Sequence, residues 1–160
     1  MYCKQIFVIA FLLLGVSSCI PSNTYEKNEA IFHHRWKKKD VKTFDIAITD
    51  TSSHYLMFLT LRHTDAYHYS NIWINLETIK PNGKSSKQRV ELPLAESSGR
   101  WTGRGMNEIF EHKIRLSGNA YTKFTQKGSY KIKLKQVMRE NPLEEIMSVG
   151  VRLEKVPSSQ

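Results

Sequence analysis

Cysteine is almost absent from this chain of 160 residues: there are two, Cys3 and Cys19. Glycine and proline are also sparse, with eight and five, which leaves no low-complexity or collagen-like tract. No apolar run reaches the ~20 residues that a membrane-spanning helix needs. Acidic residues are outnumbered, 15 Asp plus Glu against 24 Lys plus Arg, for a formal charge of +9. The motifs of several chemistries are missing too. There is no GxSxG nucleophile elbow, no phosphate-binding Walker loop and no HExxH zinc helix. These absences exclude a disulfide-built fold and remove the usual sequence signs of hydrolase, nucleotide and zinc chemistry.

What is present begins with the first residues. Met1 to Gln5 is a short head with one Lys, and Ile6 to Gly15 (IFVIAFLLLG) is an unbroken apolar run half as long as a bilayer span. A positive head, a short apolar core and small residues behind it read as an export signal rather than a permanent anchor. Val16-Ser17-Ser18-Cys19 closes it in the form of a bacterial lipobox. The cysteine thiol is the nucleophile that takes the diacylglyceryl group, and the small residues let the peptidase reach the bond before it. Cleavage there removes residues 1–18 and Cys3 with them, so Cys19 becomes the lipidated first residue and the sole cysteine. The mature fold must then rest on an apolar core. More than one acyl chain anchors stably, at about 0.8 kcal/mol per buried CH₂. Export makes nucleic acid an improbable partner for the positive charge. Lipid headgroups, envelope polysaccharide and an acidic protein remain, alongside simple solubility.

Residues 19–39 are polar and read as the lipidated cysteine followed by a tether and an irregular segment. Trp36, within the basic cluster His33-His34-Arg35-Trp36-Lys37-Lys38-Lys39, suits either a membrane surface or the edge of the domain, and the second is the better fit. From Lys42 the apolar period becomes two, the signature of strands. Phe44, Ile46 and Ile48 share a face; so do Tyr55, Met57, Leu59 and Leu61; Ile72, Ile74 and Leu76; Val90, Leu92 and Leu94; Phe110, His112, Ile114 and Leu116; Tyr130, Ile132 and Leu134; and Val149, Val151 and Leu153. Pro93 marks its strand as an edge. The row Lys131, Lys133 and Lys135 suggests a solvated edge or outer face. Turn residues separate the runs at Pro81-Asn82-Gly83, Ser98-Gly99 and Lys127-Gly128. The pattern predicts an all-β fold, a single antiparallel β-sandwich (immunoglobulin-like or jelly-roll-like) of about seven to eight strands over residues 40–156, with a tail at 157–160. Asn141-Pro142-Leu143-Glu144-Glu145 predicts one helical turn.

Candidate functional residues are few. His63 and His68 flank a loop, but the spacing is not that of a metal site, and no cofactor is expected. Gly99-Arg100-Trp101-Thr102-Gly103-Arg104-Gly105 is a glycine-rich basic loop without the GxGxxG spacing. No catalytic constellation is present, so an enzyme is not expected. Trp73 stands among Asn71, Asn75 and Glu77, with Arg62 ending the preceding strand. An aromatic residue among amides and charges on a sandwich face suits a sugar site, a protein interface, or a loop that covers it. The candidate interaction surface is therefore Arg62, Asn71, Trp73, Arg100, Trp101 and Arg104.

Several of these segments resemble one family. Arg62 with Tyr67-His68-Tyr69-Ser70-Asn71-Ile72-Trp73, then Leu94-Ala95-Glu96-Ser97-Ser98-Gly99-Arg100-Trp101-Thr102-Gly103-Arg104-Gly105, then Gly128-Ser129-Tyr130, Gln136-Val137-Met138-Arg139, Pro142-Leu143, Ile146 and Val149-Gly150-Val151 occur in order. Together they are similar to the GldH family of gliding-motility lipoproteins. That resemblance implies a non-enzymatic, membrane-anchored envelope protein of Bacteroidota, with a structural or assembly role in gliding and the secretion machinery associated with it. Its partners would be the lipid bilayer and other envelope proteins. The alternative is a glycan- or peptidoglycan-binding sandwich that uses Trp73 and Arg62. The family pattern also implies a small residue just before Ile146, where this chain has Glu145. Surface-exposed lipoproteins of these bacteria usually carry acidic residues soon after the cysteine, and Ile20-Pro21-Ser22-Asn23-Thr24 has none. The expected location is the outer membrane, facing the periplasm.

Overall fold

The structure is a computed structural model that describes residues 23–116 and 120–156. The export signal, Cys19 and the tail at 157–160 lie outside the described residues. The period-two stripes become the inner faces of two antiparallel sheets. The strands are β1 (Thr24–Ala30), β2 (Lys42–Ile48), β3 (His54–Thr64), β4 (Asn71–Ile79), β5 (Ser85–Pro93), β6 (Arg104–Met106), β7 (Ile109–Arg115), β8 (Gly128–Gln136) and β9 (Ile146–Val156). One sheet has the order β1-β9-β3-β7-β6 and the other β2-β8-β4-β5. Phe44, Leu59, Leu61, Ile72, Ile74, Ile132, Leu134, Val149 and Val151 are fully buried between them. Each contributes about 1.5–3 kcal/mol by leaving water. The expected β-sandwich is the observed fold.

Two strands escape the apolar pattern. β1 (TYEKNEA) lies where the sequence suggests a tether, and it pairs along its whole length with β9, from Thr24↔Glu154 to Ala30↔Ser148. It is an outer strand, so one flank and much of one face stay wet and the alternation is weak. The folded domain therefore begins by Thr24 rather than at residue 40. β6 is only three residues long, too short for any period to show. Trp36 is not at the domain edge. It is fully buried, its backbone pairs with Leu143, and its Nε1–H donates to the Asp40 carbonyl at 2.8 Å. Asn141 to Glu145 forms no helical turn; the Asn141–Pro142 bond is cis and Leu143 pairs with Trp36. β5 is an edge strand, as Pro93 requires. β8 is not an edge: it lies between β2 and β4, and its lysines point outward, with Lys131 paired to Asp45 at 3.0 Å.

Pairing registers fix which loops share an end. Thr24 lies opposite Glu154, His54 opposite Val156, Ile48 opposite Gly128 and Ile79 opposite Lys131. The turns 49–53 and 80–84 and the connection after β7 therefore lie at the end where β1 starts. The segments 31–41, 65–70, 94–103, 107–108 and 137–145 lie at the other end.

Candidate interaction surface

The end away from the start of β1 is sealed by aromatic and imidazole rings. β3 delivers His63 and β7 delivers His112, both inward, and both are buried. The His63 Nδ1–H donates to the Thr64 carbonyl at 2.7 Å, which leaves His63 Nε2 bare. It faces His112 Nε2 at 2.9 Å, so His112 supplies the one proton between them. Burial pushes both imidazoles below their ordinary range, and the proximity of His63 helps push His112 to about 4. Both are neutral at physiological pH.

Trp101 closes over this pair. Its ring centre lies 4.5 Å from that of His63 and 5.9 Å from that of Phe110. Its Nε1–H donates to Asp65 Oδ1 at 2.7 Å. Tyr67 completes the cluster, with its ring 5.2 Å from His63 and its hydroxyl donating to the Asn71 carbonyl at 3.0 Å. Burial raises the Tyr67 phenol well above its usual pKa. The glycines of the loop are spacers: a Cβ on Gly103 would lie 2.7 Å from His112 Nε2, and one on Gly105 2.8 Å from the Phe110 ring.

The segment between β8 and β9 is fixed by a buried amide. Gln136 Nε2 donates to the carbonyls of Trp36 and Glu140, each at 3.2 Å, and its Oε1 accepts the Met138 N–H at 2.9 Å. Glu145, where the resemblance implies a small residue, adopts φ of 65°. That left-handed backbone favours a residue without Cβ strain. Glu145 is held there by the Thr64 hydroxyl, which donates to Oε2 at 2.6 Å, and by its carbonyl, which accepts the Thr64 N–H at 3.1 Å.

The six candidate residues do not form one site. Arg62 and Arg104 lie together on the outer face of the five-stranded sheet, with Arg62 3.6 Å from Glu111. Both line an open groove of about 1070 Å³. Asn71 and Trp73 lie on the outer face of the other sheet. There the Arg89 guanidinium stacks 4.7 Å from the Trp73 ring centre and Asn71 Nδ2 donates to Glu91 Oε1 at 2.6 Å. Arg62 and Trp73 are thus not brought together. Arg100 is exposed and paired with Glu96 at 2.6 Å, while its neighbour Trp101 turns inward. His63 meets His112 and not His68. Among the described residues no three His, Cys, Asp or Glu gather around a metal-sized space.

The pattern of apolar stripes gives no warning of Phe32 and Met106. Phe32, in a 3-10 turn spanning Phe32–His34, is 80% exposed, and Met106, beside the β6–β7 turn, is 73% exposed. Both lie at the ring-sealed end. Positive φ values stand next to both (His33 52°, Asn107 50°), and a sequence does not display φ. Phe32 follows β1 and Met106 ends β6, the opposite edges of the five-stranded sheet, so they are two separate apolar points at this end.

The protein is an all-β domain of two antiparallel sheets, with one end closed by buried rings. The chain belongs to the GldH lipoprotein family, whose pattern it matches over residues 23–153. It is 31% identical over 158 residues to a gliding motility lipoprotein GldH homolog of Christiangramia forsetii, covering 94% of this chain and 95% of that one. It is 30% identical over 156 residues to the gliding motility lipoprotein GldH of Flavobacterium johnsoniae, covering 93% and 94%. Both relatives are gliding motility lipoproteins. By its family this protein is an envelope lipoprotein with a role in gliding-motility machinery. Among solved structures, a non-crystalline cellulose specific carbohydrate-binding module is similar, with a TM-score of 0.44 and 12% identity, covering 84% of this chain and 73% of that one. A likeness that slight carries no information about ligands.

Proposed function

We propose that the protein is a structural or assembly component that joins envelope proteins of gliding motility and the associated secretion machinery, anchored through a lipidated Cys19. The observation that carries this reading is a convergence. The segments by which the chain resembles its family are scattered from Arg62 to Val151, yet Tyr67, Trp101, Gly103, Gly105, Met138 and Leu143 all gather at the ring-sealed end. Phe32 and Met106 are exposed there. On this reading the buried rings set the shape of that end and the exposed pair makes contact.

The test is cross-linked capture of the tagged, lipidated protein from native envelopes, followed by mass spectrometry. Gliding or secretion components should be enriched over a matched control lipoprotein. A Phe32→Asp/Met106→Asp variant, both changes being in solvent, should lose that enrichment and keep its unfolding midpoint. Equal capture by the variant would refute docking at this end. No enrichment at all would refute the assembly role and favour the glycan alternative, which now rests on Trp73 without Arg62.

A further inference from the structure

The two ends of the sandwich differ in charge. Where β1 starts, the turns 49–53 and 80–84 and the described part of the connection after β7 carry Lys80, Lys84, Lys123 and Lys127 against Asp50 alone. All four lysines are exposed, and none has an ion pair among the described residues. Asp50 is already neutralised by Lys155 at 2.6 Å. Arg115 is engaged there as well, donating to the Ala120 carbonyl at 2.9 Å. Lys80, Lys84 and Lys127 are brought together. Pro81 packs against Gly128, so that a Cβ on the glycine would lie 3.0 Å from it, and this brings the Lys80–Lys84 turn beside Lys127. Thr122 pairs with Tyr55, which sets Lys123 beside the start of β3 in the five-stranded sheet. Tyr121, 55% exposed, stands at the same end against His54 and Arg115. At the opposite end the segments 31–41, 65–70, 94–103, 107–108 and 137–145 hold six Lys and Arg against seven Asp and Glu, close to neutral.

Only the basic end is near the lipid. Cys19 to Asn23 is five residues, a reach of at most ~18 Å. The seven residues of β1 then carry the chain about 23 Å away before Phe32 is reached. Unpaired lysines and an exposed tyrosine, together at the tethered end, match a surface of anionic headgroups with an amphipathic boundary. We propose that this lysine-rich end lies against anionic phospholipid headgroups of the leaflet that holds the anchor, so that the domain stands on its lipid with the Phe32 and Met106 end presented away from the membrane. The inference rests on lipidation at Cys19. Each lysine near such a surface is equivalent to about five-fold in affinity, so four of them fix an orientation that a flexible tether alone would not.

The test uses the mature lipidated protein reconstituted into vesicles of phosphatidylcholine alone, or of phosphatidylcholine mixed equally with phosphatidylglycerol. Brief acetylation of accessible amines is then read by mass spectrometry at each lysine. In the anionic vesicles labelling of Lys80, Lys84, Lys123 and Lys127 should fall several-fold, that of Lys37 and Lys39 should not change, and high salt should restore it. Equal labelling of the four lysines in both vesicles would overturn the proposal, as would protection of Lys37 and Lys39 in their place. Failure to float with neutral vesicles would overturn the anchor itself and the proposal with it.

Discussion

The His63–His112 pair predicts a loss of stability on mild acidification. The two Nε2 atoms lie 2.9 Å apart with one proton between them. A second proton would set N–H against N–H in a site where His112 is 2% exposed and His63 fully buried. The folded-state pKa of His112 is lowered from 6.5 to about 4, by burial first and then by His63, and that of His63 is lowered by burial. The Thr64 carbonyl and Asp65 act the other way on His63 without reversing the direction. The unfolded chain therefore binds more protons than the folded one between these values. Stability is complete above about pH 6.5 and falls as pH descends toward about 4. Shifting one site from 6.5 to about 4 costs about 2 kcal/mol at pH 5 relative to pH 8. The pair titrates as a unit, so the loss belongs to both rings. Asp50, Glu96 and Glu154 are held below their usual range, chiefly by hydrogen bonds from Lys155, Arg100 and Lys113, so they lose stability in the same direction, but mainly below their ordinary values of 3.8 to 4.5 and thus beneath pH 5. Urea unfolding at pH 8 and pH 5 measures the difference. The double variant His63→Gln/His112→Gln keeps an N–H to O hydrogen bond and cannot charge, so its two curves should coincide. A wild-type protein equally stable at both pH values, or a double variant that retains the fall, would refute the account.

Three further outcomes are expected. Gly150→Ala places a methyl group into Asn28 Oδ1 and the Lys27 carbonyl, and 2.5 Å from Thr60 Oγ1. Two of the three strands there must move, and urea unfolding should show a loss of about 2–3 kcal/mol. Gln136→Leu leaves the Trp36 and Glu140 carbonyls and the Met138 N–H without their side-chain partner, so thermal unfolding should reveal a loss of about 2–4 kcal/mol; a change below about 0.5 kcal/mol would mean that water replaces the amide. Trp73→Ala removes a half-buried ring from the outer sheet face and should leave the fold intact. Binding to peptidoglycan fragments that persists unchanged in this variant would contradict the glycan alternative.

Much of the fold was legible because burial on one side of a strand writes itself as a period of two. Phe44, Ile46 and Ile48 needed no structure to be placed together, nor did Tyr130, Ile132 and Leu134. Where burial is one-sided and partial the trace fades. Tyr25 alone marks β1 as more than a tether, and three residues of β6 cannot carry a period. Pro93 identified an edge because its missing N–H is a local fact. Lys131, Lys133 and Lys135 could not identify one, since outward lysines suit a central strand as well as an edge.

The sequence by itself determined the export signal pattern, the candidate lipid cysteine, the two-sheet architecture and the family, all of which are written in local order along the chain. Only the tertiary structure decided who meets whom. It joined His63 to His112 across 49 positions and Trp101 to Asp65 across 36. It separated Arg62 from Trp73, though a single turn divides their strands, because that turn carries the chain from one sheet to the other. It also sorted the charges between the ends, a property of strand register and loop direction. Nothing local in a lysine reveals at which end of a sheet it will stand.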